Sequence, residues 1–344
     1  MTGHDALLEI DGAFGEGGGQ VLRTALSLSM CLRRPFRITR IRQARARPGL
    51  QPQHRMAVQA AAAVCGAATT GAEPGSTALT FRPGPVVPGD YSFDIGTAGS
   101  TTLVLQTVLL ALLCAPGPSR VTVRGGTHNP SAPPYEFLAD AFLPLLRRMG
   151  AAVQLEMVRP GYYPRGGGIL VARVEPAPRL QPLALERRGA LRGIRAVATL
   201  SRLPDHIGRR ELAVLQRELG TVETALRRAD DACGAGNYVT VTVAGERVTE
   251  VFTGFGRRGV PAETVAAAVA AAVGAYLAAA VPVGPHLADQ LLLPLALAGG
   301  GRFVTMEPTL HATTNLAVIG RFLPLAATRT ALDGRRWRIA LGPA

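Results

Sequence analysis

The sequence predicts an α/β (α+β) fold in which three repeated α/β units form a large domain and a smaller α/β domain of four strands and two helices is inserted. Two observations lead to this prediction: one pattern of segments occurs three times, and a separate order of elements lies between its second and third occurrences. With 344 residues, of which 47% are hydrophobic, the chain is long enough for an apolar core in each domain. We expect the large domain to contain residues 1–185 and 281–344 and the inserted domain residues 186–280.

The repeated pattern is a loop of small residues, an apolar helix with a glutamine near its start, and a strand reached through Gly, Pro or Arg. It occurs at 15–42, 96–125 and 284–308. A second helix and a further strand follow each occurrence, at 56–64 and 78–82, at 135–149 and 153–158, and at 314–322 and 326–332. Such self-similarity is typical of repeated units, so we expect the helices to pack together with the sheets outside.

The inserted domain has its own order of elements. We predict strand 194–200, helix 207–219, strands 222–228, 238–243 and 250–254, and then an alanine-rich helix. That last segment belongs to the long uncharged stretch 265–285, which ends around Pro282. A stretch that is mostly alanine and ends around a proline indicates a buried helix rather than a membrane span, and no membrane partner is expected.

Charge composition favours some partners and excludes some chemistry. Lys+Arg number 37 against 24 Asp+Glu, a formal +13 that favours phosphate-rich partners, although ordinary solvated surface would also account for it. The printed sequence contains no lysine, so all 37 basic residues are arginine. A P-loop lysine, a Schiff base and a lysyl-AMP intermediate are therefore excluded, and a covalent nucleophile must be His, Cys, Ser, Thr or a carboxylate.

The cysteines and the start of the chain indicate a compartment. The four cysteines are widely spaced and form no CxxC motif, which predicts small buried hydrophobic residues: Cys31, Cys65, Cys114 and Cys233. Asp5, Glu9 and Asp11 replace the basic start that a signal peptide needs. We therefore expect a reducing, cytoplasmic location. No sequence feature indicates an oligomeric state.

The first candidate site is the motif GEGGGQVLR at 15–23, a glycine loop that leads directly into a helix. Glycines allow a ligand to approach the backbone, and the free N–H groups of a helix start favour phosphate. Glu16 is suited to a hard cation such as Mg²⁺, while Gln20 and Arg23 share one helix face. The alternative is that these glycines only form a tight turn.

An arginine-rich segment follows at 42–54. If the segment is extended, Arg45 and Arg47 lie on one side of it, and the loop at Pro48-Gly49 lets their guanidinium groups converge on a phosphate. The alternative is a solvated loop tip.

The proline-rich segment 129–134 is a rigid loop between a strand and a helix. Its surface could pack against a flat base, but from the residues alone a proline-rich turn is the favoured interpretation.

His311 is the candidate nucleophile. It lies where a strand gives way to a helix, beside small and hydroxyl residues that leave room for a ligand. A neutral imidazole is a competent nucleophile toward phosphorus at pH 7, although a lone histidine is more often structural or exposed. In the third repeat, Asp289 and Gln290 occupy the place that Glu16 and Gln20 hold in the first.

Seven motifs in order resemble one known family, the RNA 3′-terminal phosphate cyclases, over nearly the whole chain. They are GEGGGQVLR at 15–23, RARPGL at 45–50 with Gln53-His54, GTAGS at 96–100, GGTHNPSAPP at 125–134, YPRGGG at 163–168, LADQ at 287–290 and the segment around His311. Each motif is weak by itself, but seven in order are specific.

The resemblance implies a large domain of three repeated α/β units with a smaller insert, in agreement with the repeats. It also implies that ATP and a divalent metal (Mg²⁺ or Mn²⁺) are used and that Nε2 of His311 becomes adenylated. AMP then passes to an RNA 3′-phosphate, and the neighbouring 2′-hydroxyl displaces it, leaving a 2′,3′-cyclic phosphate, with PPi and AMP released.

The resemblance also implies roles for individual residues. The catalytic residues are His311, Glu16, Arg23 and Arg45, and Glu16 is also the metal contact. Arg42 and Gln53 are expected to bind the RNA phosphate. The residues expected to bind the nucleotide are Gln20, Gln106, His286, Leu287, Ala288, Asp289 and Gln290, with Pro133 against the adenine. His286 stands where relatives often carry a tyrosine that stacks on adenine, which puts the strength of stacking in doubt.

Two other classes compete with this interpretation. One is a catalytically silent relative that serves as an RNA-binding scaffold in ribosome assembly; such a protein is expected to lose the nucleophile or the metal glutamate, and this chain keeps both. The other is an enolpyruvyl transferase, which shares a repeated architecture but relies on lysines that this sequence lacks.

Overall fold

The computed structural model describes residues 7–343, so Asp5 of the predicted non-signal start lies outside the described residues. Within this range there are eight α-helices and one π-helical segment. In the same range, sixteen strands form four sheets of four strands each. Three of the sheets belong to repeated units, which confirms the predicted fold class.

The first repeated unit contains β1 (Leu8–Asp11), α1 (Gly19–Leu32), β2 (Phe36–Thr39), α2 (Pro52–Cys65), β3 (Ala68–Thr70) and β4 (Leu79–Arg82). Its sheet has the order β1-β2-β4-β3, with β1 parallel to β2 and the other pairs antiparallel. Helix α2 starts with Pro52, whose fixed φ suits a first helical turn, and ends at Gly66 in the left-handed region.

The second unit repeats this arrangement. It contains β5 (Asp90–Asp94), α3 (Thr101–Leu113), β6 (Ser119–Gly125), a π-helical segment (Phe137–Phe142) that continues into α4 (Leu143–Arg148), β7 (Ala152–Arg159) and β8 (Gly168–Glu175). The sheet order is β5-β6-β8-β7. The predicted helix 135–149 is therefore not a regular α-helix over its first half.

The third unit is interrupted by the insert. Its first strand, β9 (Leu183–Leu185), precedes the insert and pairs in parallel with β14 (Gly301–Thr305), which follows it. The unit is completed by α7 (Pro285–Leu297), α8 (Leu310–Phe322), β15 (Leu325–Ala331) and β16 (Trp337–Pro343). The insert therefore enters between the first strand and the first helix of this unit, which explains the unequal spacing of the repeats.

The insert contains β10 (Leu191–Ser201), α5 (Asp205–Leu219), β11 (Glu223–Arg228), β12 (Gly236–Gly245), β13 (Thr249–Phe255) and α6 (Ala262–Ala279). Its sheet has the order β11-β10-β12-β13 and a separate hydrophobic core. The exact domain limits at residues 186 and 280 stay a prediction.

The helices of the three units pack together around one core. Helix α1 contacts α2, α3 and α8, and α7 contacts α8. Leu22, Leu112 and Leu291, one from the first helix of each unit, lie in the same buried cluster. Gln20 of α1 bonds to Asp289 of α7, and Gln106 of α3 bonds to Gln290 of α7, so the N-terminal halves of these helices can share one site.

One described helix, α6, is long and apolar enough by composition to cross a membrane. Its Val265, Val269 and Val273 are buried in the core of the insert. This is the buried helix that the sequence predicts.

The cysteines only partly fit the prediction of buried residues. Cys65 is buried and Cys31 and Cys233 are half-buried, but Cys114 is exposed. The prediction is wrong for Cys114, the C-cap residue of α3, which is exposed although its neighbours Leu113 and Ala115 are buried.

Candidate active site

The first glycine loop packs against the start of α8. The backbone N–H of Glu16 donates to Oγ1 of Thr314 over 2.9 Å. Gly15 has a φ of 59°, and a Cβ built there would lie 2.2 Å from the same Oγ1. A glycine is therefore needed at position 15 for the loop to reach α8, the helix that carries His311.

His311 lies in the first turn of α8 with its side chain 55% exposed. Its Nδ1 is 2.9 Å from Oε1 of Gln20, and its Nε2 is 3.6 Å from Oε1 of Glu16. The structure thus brings together three predicted site residues from two repeated units.

A chain of hydrogen bonds fixes the tautomer of His311. Nε2 of Gln20 donates to Oδ1 of Asp289 over 2.5 Å, and Asn315 donates to the same oxygen over 3.1 Å. Because an ionised carboxylate only accepts, the amide NH₂ of Gln20 must face Asp289 and its oxygen must face His311. Nδ1 of His311 then carries the hydrogen, and Nε2 keeps a free lone pair.

The surroundings of His311, burial above all, favour the neutral ring. Burial lowers the pKa of His311, and the charges of Arg45 and Arg23 lower it further, while Asp289 raises it. The imidazole is therefore uncharged at neutral pH, the form that can act as a nucleophile.

Only one carboxylate oxygen of Glu16 has a partner among the described residues. Its side chain is 9% exposed, and Oε1 forms an ion pair with Arg45. Oε2 is buried without a hydrogen-bond partner among residues 7–343. It lies so close over Gly18 that a Cβ built there would be 2.1 Å from Oε2.

This unpartnered oxygen fits a divalent cation as a single ligand. Within residues 7–343, no group of three His, Cys, Asp or Glu side chains could hold a metal. Mg²⁺ commonly binds one or two carboxylates and takes its other ligands from water and substrate phosphates. Glu16 can therefore supply one protein contact to a cation that arrives with a nucleotide.

Arg23 and His54 lie beside the start of α1. A Cβ built at Gly19 would be 2.2 Å from Nε2 of His54 and 2.8 Å from Nη1 of Arg23. Burial lowers the pKa of Arg23 to about 10, so the group stays cationic at neutral pH. Burial, with the nearby charges of Arg23 and Arg42, lowers the pKa of His54 to about 3, so this ring is neutral.

His54 is the site residue that the sequence did not single out. It is 4% exposed, and its Nδ1 has no partner among the described residues. The only signal was its place next to Gln53 in the arginine-rich motif, and its contact with the glycine loop is visible only in three dimensions.

The arginine segment is not extended, contrary to the prediction. Arg42 has a φ of 55°, and the N–H of Arg45 bonds to the carbonyl of Arg42 over 3.0 Å, so the chain turns here. The guanidinium of Arg42 bonds to the carbonyls of Arg47 and Gly49 and closes its own loop. Arg45 alone of the three reaches Glu16.

Gln53 and Pro133 are both hydrogen-bonded to residues at the start of α3. Oε1 of Gln53 accepts a bond of 2.9 Å from the N–H of Ser100. The carbonyl of Pro133 accepts one of 2.7 Å from Oγ1 of Thr102, in the first turn of α3. Both residues therefore lie at the start of the second repeated helix.

A small cleft of about 70 Å³ opens where α1, α3 and α7 meet. Its polar lining includes Gln20, Arg23, Gln106, Asp289 and Gln290. Nε2 of Gln106 donates to Oε1 of Gln290 over 2.6 Å across the cleft. These polar groups, with apolar walls around them, can contact part of a larger ligand that has both polar and apolar surface.

The other residues at the start of α7 differ in their surroundings. Leu287 and Ala288 are 0% and 2% exposed and pack in the core, so only their backbone can meet a ligand. His286 is exposed in the first turn of α7, and burial of its ring on one side lowers its pKa.

Known proteins resemble the chain over most of its length. A family model described as RNA 3'-terminal phosphate cyclase matches residues 14–328. A protein named RNA 3'-terminal phosphate cyclase from Ralstonia nicotianae is 54% identical over 322 residues, which is 93% of this chain and 93% of that protein. Proteins of the same name from Koribacter versatilis and Pseudomonas fluorescens are 51% and 52% identical over 93% of this chain, and over 91% and 93% of their own lengths.

Among solved structures, the enolpyruvyl transferase NikO from Streptomyces tendae is similar with a TM-score of 0.37 and 12% identity, over 97% of this chain and 48% of that chain.

Proposed function

Since the chain belongs to the RNA 3′-terminal phosphate cyclase family, we propose that it uses ATP to convert an RNA 3′-terminal phosphate to a 2′,3′-cyclic phosphate through AMP bound to His311. The observation that carries the mechanism is the hydrogen bond of 2.9 Å between Nδ1 of His311 and Gln20. It leaves Nε2 unprotonated, 3.6 Å from Oε1 of Glu16.

In the first step, Nε2 of His311 attacks the α-phosphorus of ATP. An N–P bond forms, the bond between the α-phosphorus and the bridging oxygen breaks, and pyrophosphate leaves. Arg23 and Arg45 lie beside the ring and stabilise the negative charge that spreads over the phosphoryl oxygens. Gln20 stabilises the ring in the correct tautomer as positive charge develops on it.

Glu16 is the residue that would hold a divalent cation, through its unpartnered Oε2. Such a cation, when bound, would neutralise charge on the phosphates and help pyrophosphate leave.

In the second step, an oxygen of the RNA 3′-phosphate attacks the phosphorus on His311, and the imidazole leaves as the new anhydride forms. In the third step, the 2′-oxygen attacks the 3′-phosphorus, AMP leaves, and the 2′-hydroxyl proton passes to solvent. Prior adenylation makes the third step favourable because AMP is a much better leaving group than oxide. The attack is also intramolecular, which removes the entropic cost of bringing the reactants together.

The nucleotide is proposed to lie against the N-terminal halves of α1, α3 and α7, with only part of it in the cleft between them. Gln106, Asp289 and Gln290 face this cleft and offer donors and acceptors to the ribose and base. Pro133 would pack against the adenine, and His286, in the first turn of α7, would also contact it.

The arginine loop is proposed to receive the RNA. Arg45 contacts Glu16 in the site, whereas Nη1 of Arg42 donates to the carbonyl of Gly49 in its own loop. Gln53 would orient the RNA end through the GTAGS loop to which it is bonded.

The experiment is conversion of an RNA oligonucleotide with a labelled 3′-phosphate in the presence of ATP and Mg²⁺ or Mn²⁺. The wild-type protein should make the labelled end resistant to phosphatase, and His311→Ala should not. His206→Ala, which changes an exposed histidine on α5, should retain activity. A wild-type protein that binds the RNA but leaves its end unchanged would instead be a silent scaffold.

A further inference from the structure

A buried polar cluster closes the base of the proline-rich loop. His128 is 3% exposed, and its Nε2 lies 2.8 Å from Oε2 of Glu136, eight residues later. Its Nδ1 lies 2.8 Å from the hydroxyl of Thr127. The two ends of the loop that carries Pro133 are therefore joined by a direct side-chain bond.

The inserted domain contributes the third member of this cluster. Tyr238 of β12 is 1% exposed, and its hydroxyl donates to Oε1 of Glu136 over 2.8 Å. Its ring stacks on His128 with centroids 3.9 Å apart and an interplanar angle of 21°. One oxygen of Glu136 is thus bound by the loop and the other by the insert.

The charge on Glu136 is maintained despite its position. Burial alone would raise the pKa of Glu136, but the charge and hydrogen bond of His128, with the Tyr238 hydroxyl, outweigh burial and lower the pKa. Burial also raises the pKa of Tyr238 well above its usual range, so this phenol stays a donor. The bonds therefore join an anion to two donors, which makes them stronger than bonds between neutral groups.

The cluster is connected on both sides to elements that line the cleft. On one side, the loop carries Pro133, whose carbonyl is bonded to Thr102 at the start of α3, the helix whose Leu103 and Gln106 line the cleft. On the other side, Glu136 directly precedes the π-helical segment, whose Phe142 lines the cleft. A shift of Glu136 would therefore move both the loop and a wall of the cleft.

From these contacts we infer that Tyr238 and His128 are positioning residues for the purine base of ATP, acting through Glu136. They hold the Pro133 loop against the start of α3, so a residue of the inserted domain sets how well the base is bound. A phenylalanine at 238 would fill the same space, so the phenolic oxygen has no packing role and serves Glu136. The inference rests on the proposed function, which places adenine against Pro133.

The test compares Tyr238→Phe with Tyr276→Phe in the full-length protein. Tyr276 is a second buried tyrosine of the insert, but its hydroxyl bonds to the carbonyl of Pro282 over 3.2 Å, away from the loop. Tyr238→Phe should weaken ATP binding, measured by titration calorimetry, by about 10-fold, the effect expected for one bond to a charged group. Tyr276→Phe should leave the Kd for ATP unchanged.

Inorganic tripolyphosphate, which has no base, distinguishes positioning from general damage. Its affinity should be the same in the wild type and in Tyr238→Phe, and Glu136→Gln should behave like Tyr238→Phe. Equal ATP affinity in the wild type, Tyr238→Phe and Glu136→Gln would overturn the inference, as would an equal loss for ATP and tripolyphosphate. Calorimetry needs no transfer to His311, so this result is independent of whether the covalent mechanism holds.

Discussion

Oε1 of Gln20 lies 2.9 Å from Nδ1 of His311, and the other end of the same amide is bound by Asp289. This relationship orients the imidazole and sets which nitrogen is free, in the way that a carboxylate orients the histidine of a catalytic triad. It gives Gln20 a role that differs from the phosphate or nucleotide contact expected from the sequence.

Gln20→Met should slow transfer of AMP to the protein because methionine keeps the size of the side chain and removes the acceptor. We expect the single-turnover rate at saturating ATP to fall by about 10- to 100-fold, the usual effect of losing an orienting partner of histidine. Gln106→Met serves as the control, since Gln106 bonds to Gln290 and should affect the KM for ATP instead. A Gln20→Met rate equal to the wild-type rate would contradict the orienting role.

Glu16→Gln should weaken the dependence on a divalent cation. The amide has nearly the same shape but lacks the charge, so the metal concentration at half-maximal rate should rise by about 10-fold or more. Glu9→Gln, an exposed change on β1, should leave this concentration unchanged. Identical metal titrations for the wild type and Glu16→Gln would show that the cation is held elsewhere.

Gly19→Ala should abolish transfer because its Cβ would lie 2.2 Å from Nε2 of His54, in a buried place with little room to shift. Gly320→Ala on α8 is the matched control, because a Cβ there would meet no described atom within 4 Å. Since alanine favours a helix interior, this control should be stabilising by about 0.5–1 kcal/mol. The measurements are adenylation rate and thermal unfolding. An active Gly19→Ala would show that the loop does not need this close approach.

Glu250 should make stability depend on pH. Burial raises the pKa of Glu250 from 4.5 to about 8 in the folded protein, although hydrogen bonds from the backbone N–H groups of Gly284 and Val251 oppose the rise. The folded state therefore binds this proton more tightly than the unfolded chain, so the stabilisation is fully present below pH 4.5 and is lost as the pH rises through 8.

The Tm of the wild type should accordingly fall from pH 5 to pH 9 by more than the Tm of Glu250→Gln, which keeps an acceptor for Gly284 without the titration. Glu223→Gln, at a 72% exposed side chain, should follow the wild type. Parallel curves for the wild type and Glu250→Gln would contradict the raised pKa.

Much of the fold could be predicted from local patterns. Glycine loops, helix starts and alternating strands are local features, so three units and an insert could be recognised along the chain. Strand β9 escaped notice because it is only three residues long and pairs with β14, more than a hundred residues later. The π-helical segment 137–142 has no distinct sequence signal and reads as ordinary helix.

In the site, too, some features could be predicted from motifs and others depend on contacts between distant residues. The closeness of His311 and Glu16 followed from motifs that the resemblance links, although the two residues lie at opposite ends of the chain. The orientation of Gln20 depends on Asp289 and Asn315, from two other helices, and no spacing along the chain encodes it. The turn at Arg42 reversed the extended prediction because bonds from its guanidinium to its own loop outweigh the strand-like alternation.

The central claim is that AMP is carried by Nε2 of His311. The most direct measurement incubates the protein with α-labelled ATP and Mg²⁺ or Mn²⁺, and then maps the labelled peptide and tests the acid and alkali stability of the bond. The account predicts one acid-labile, alkali-stable label on the peptide that contains His311, absent in His311→Ala and retained in Cys233→Ala. Label that persists in His311→Ala, or that maps to another residue, would contradict it.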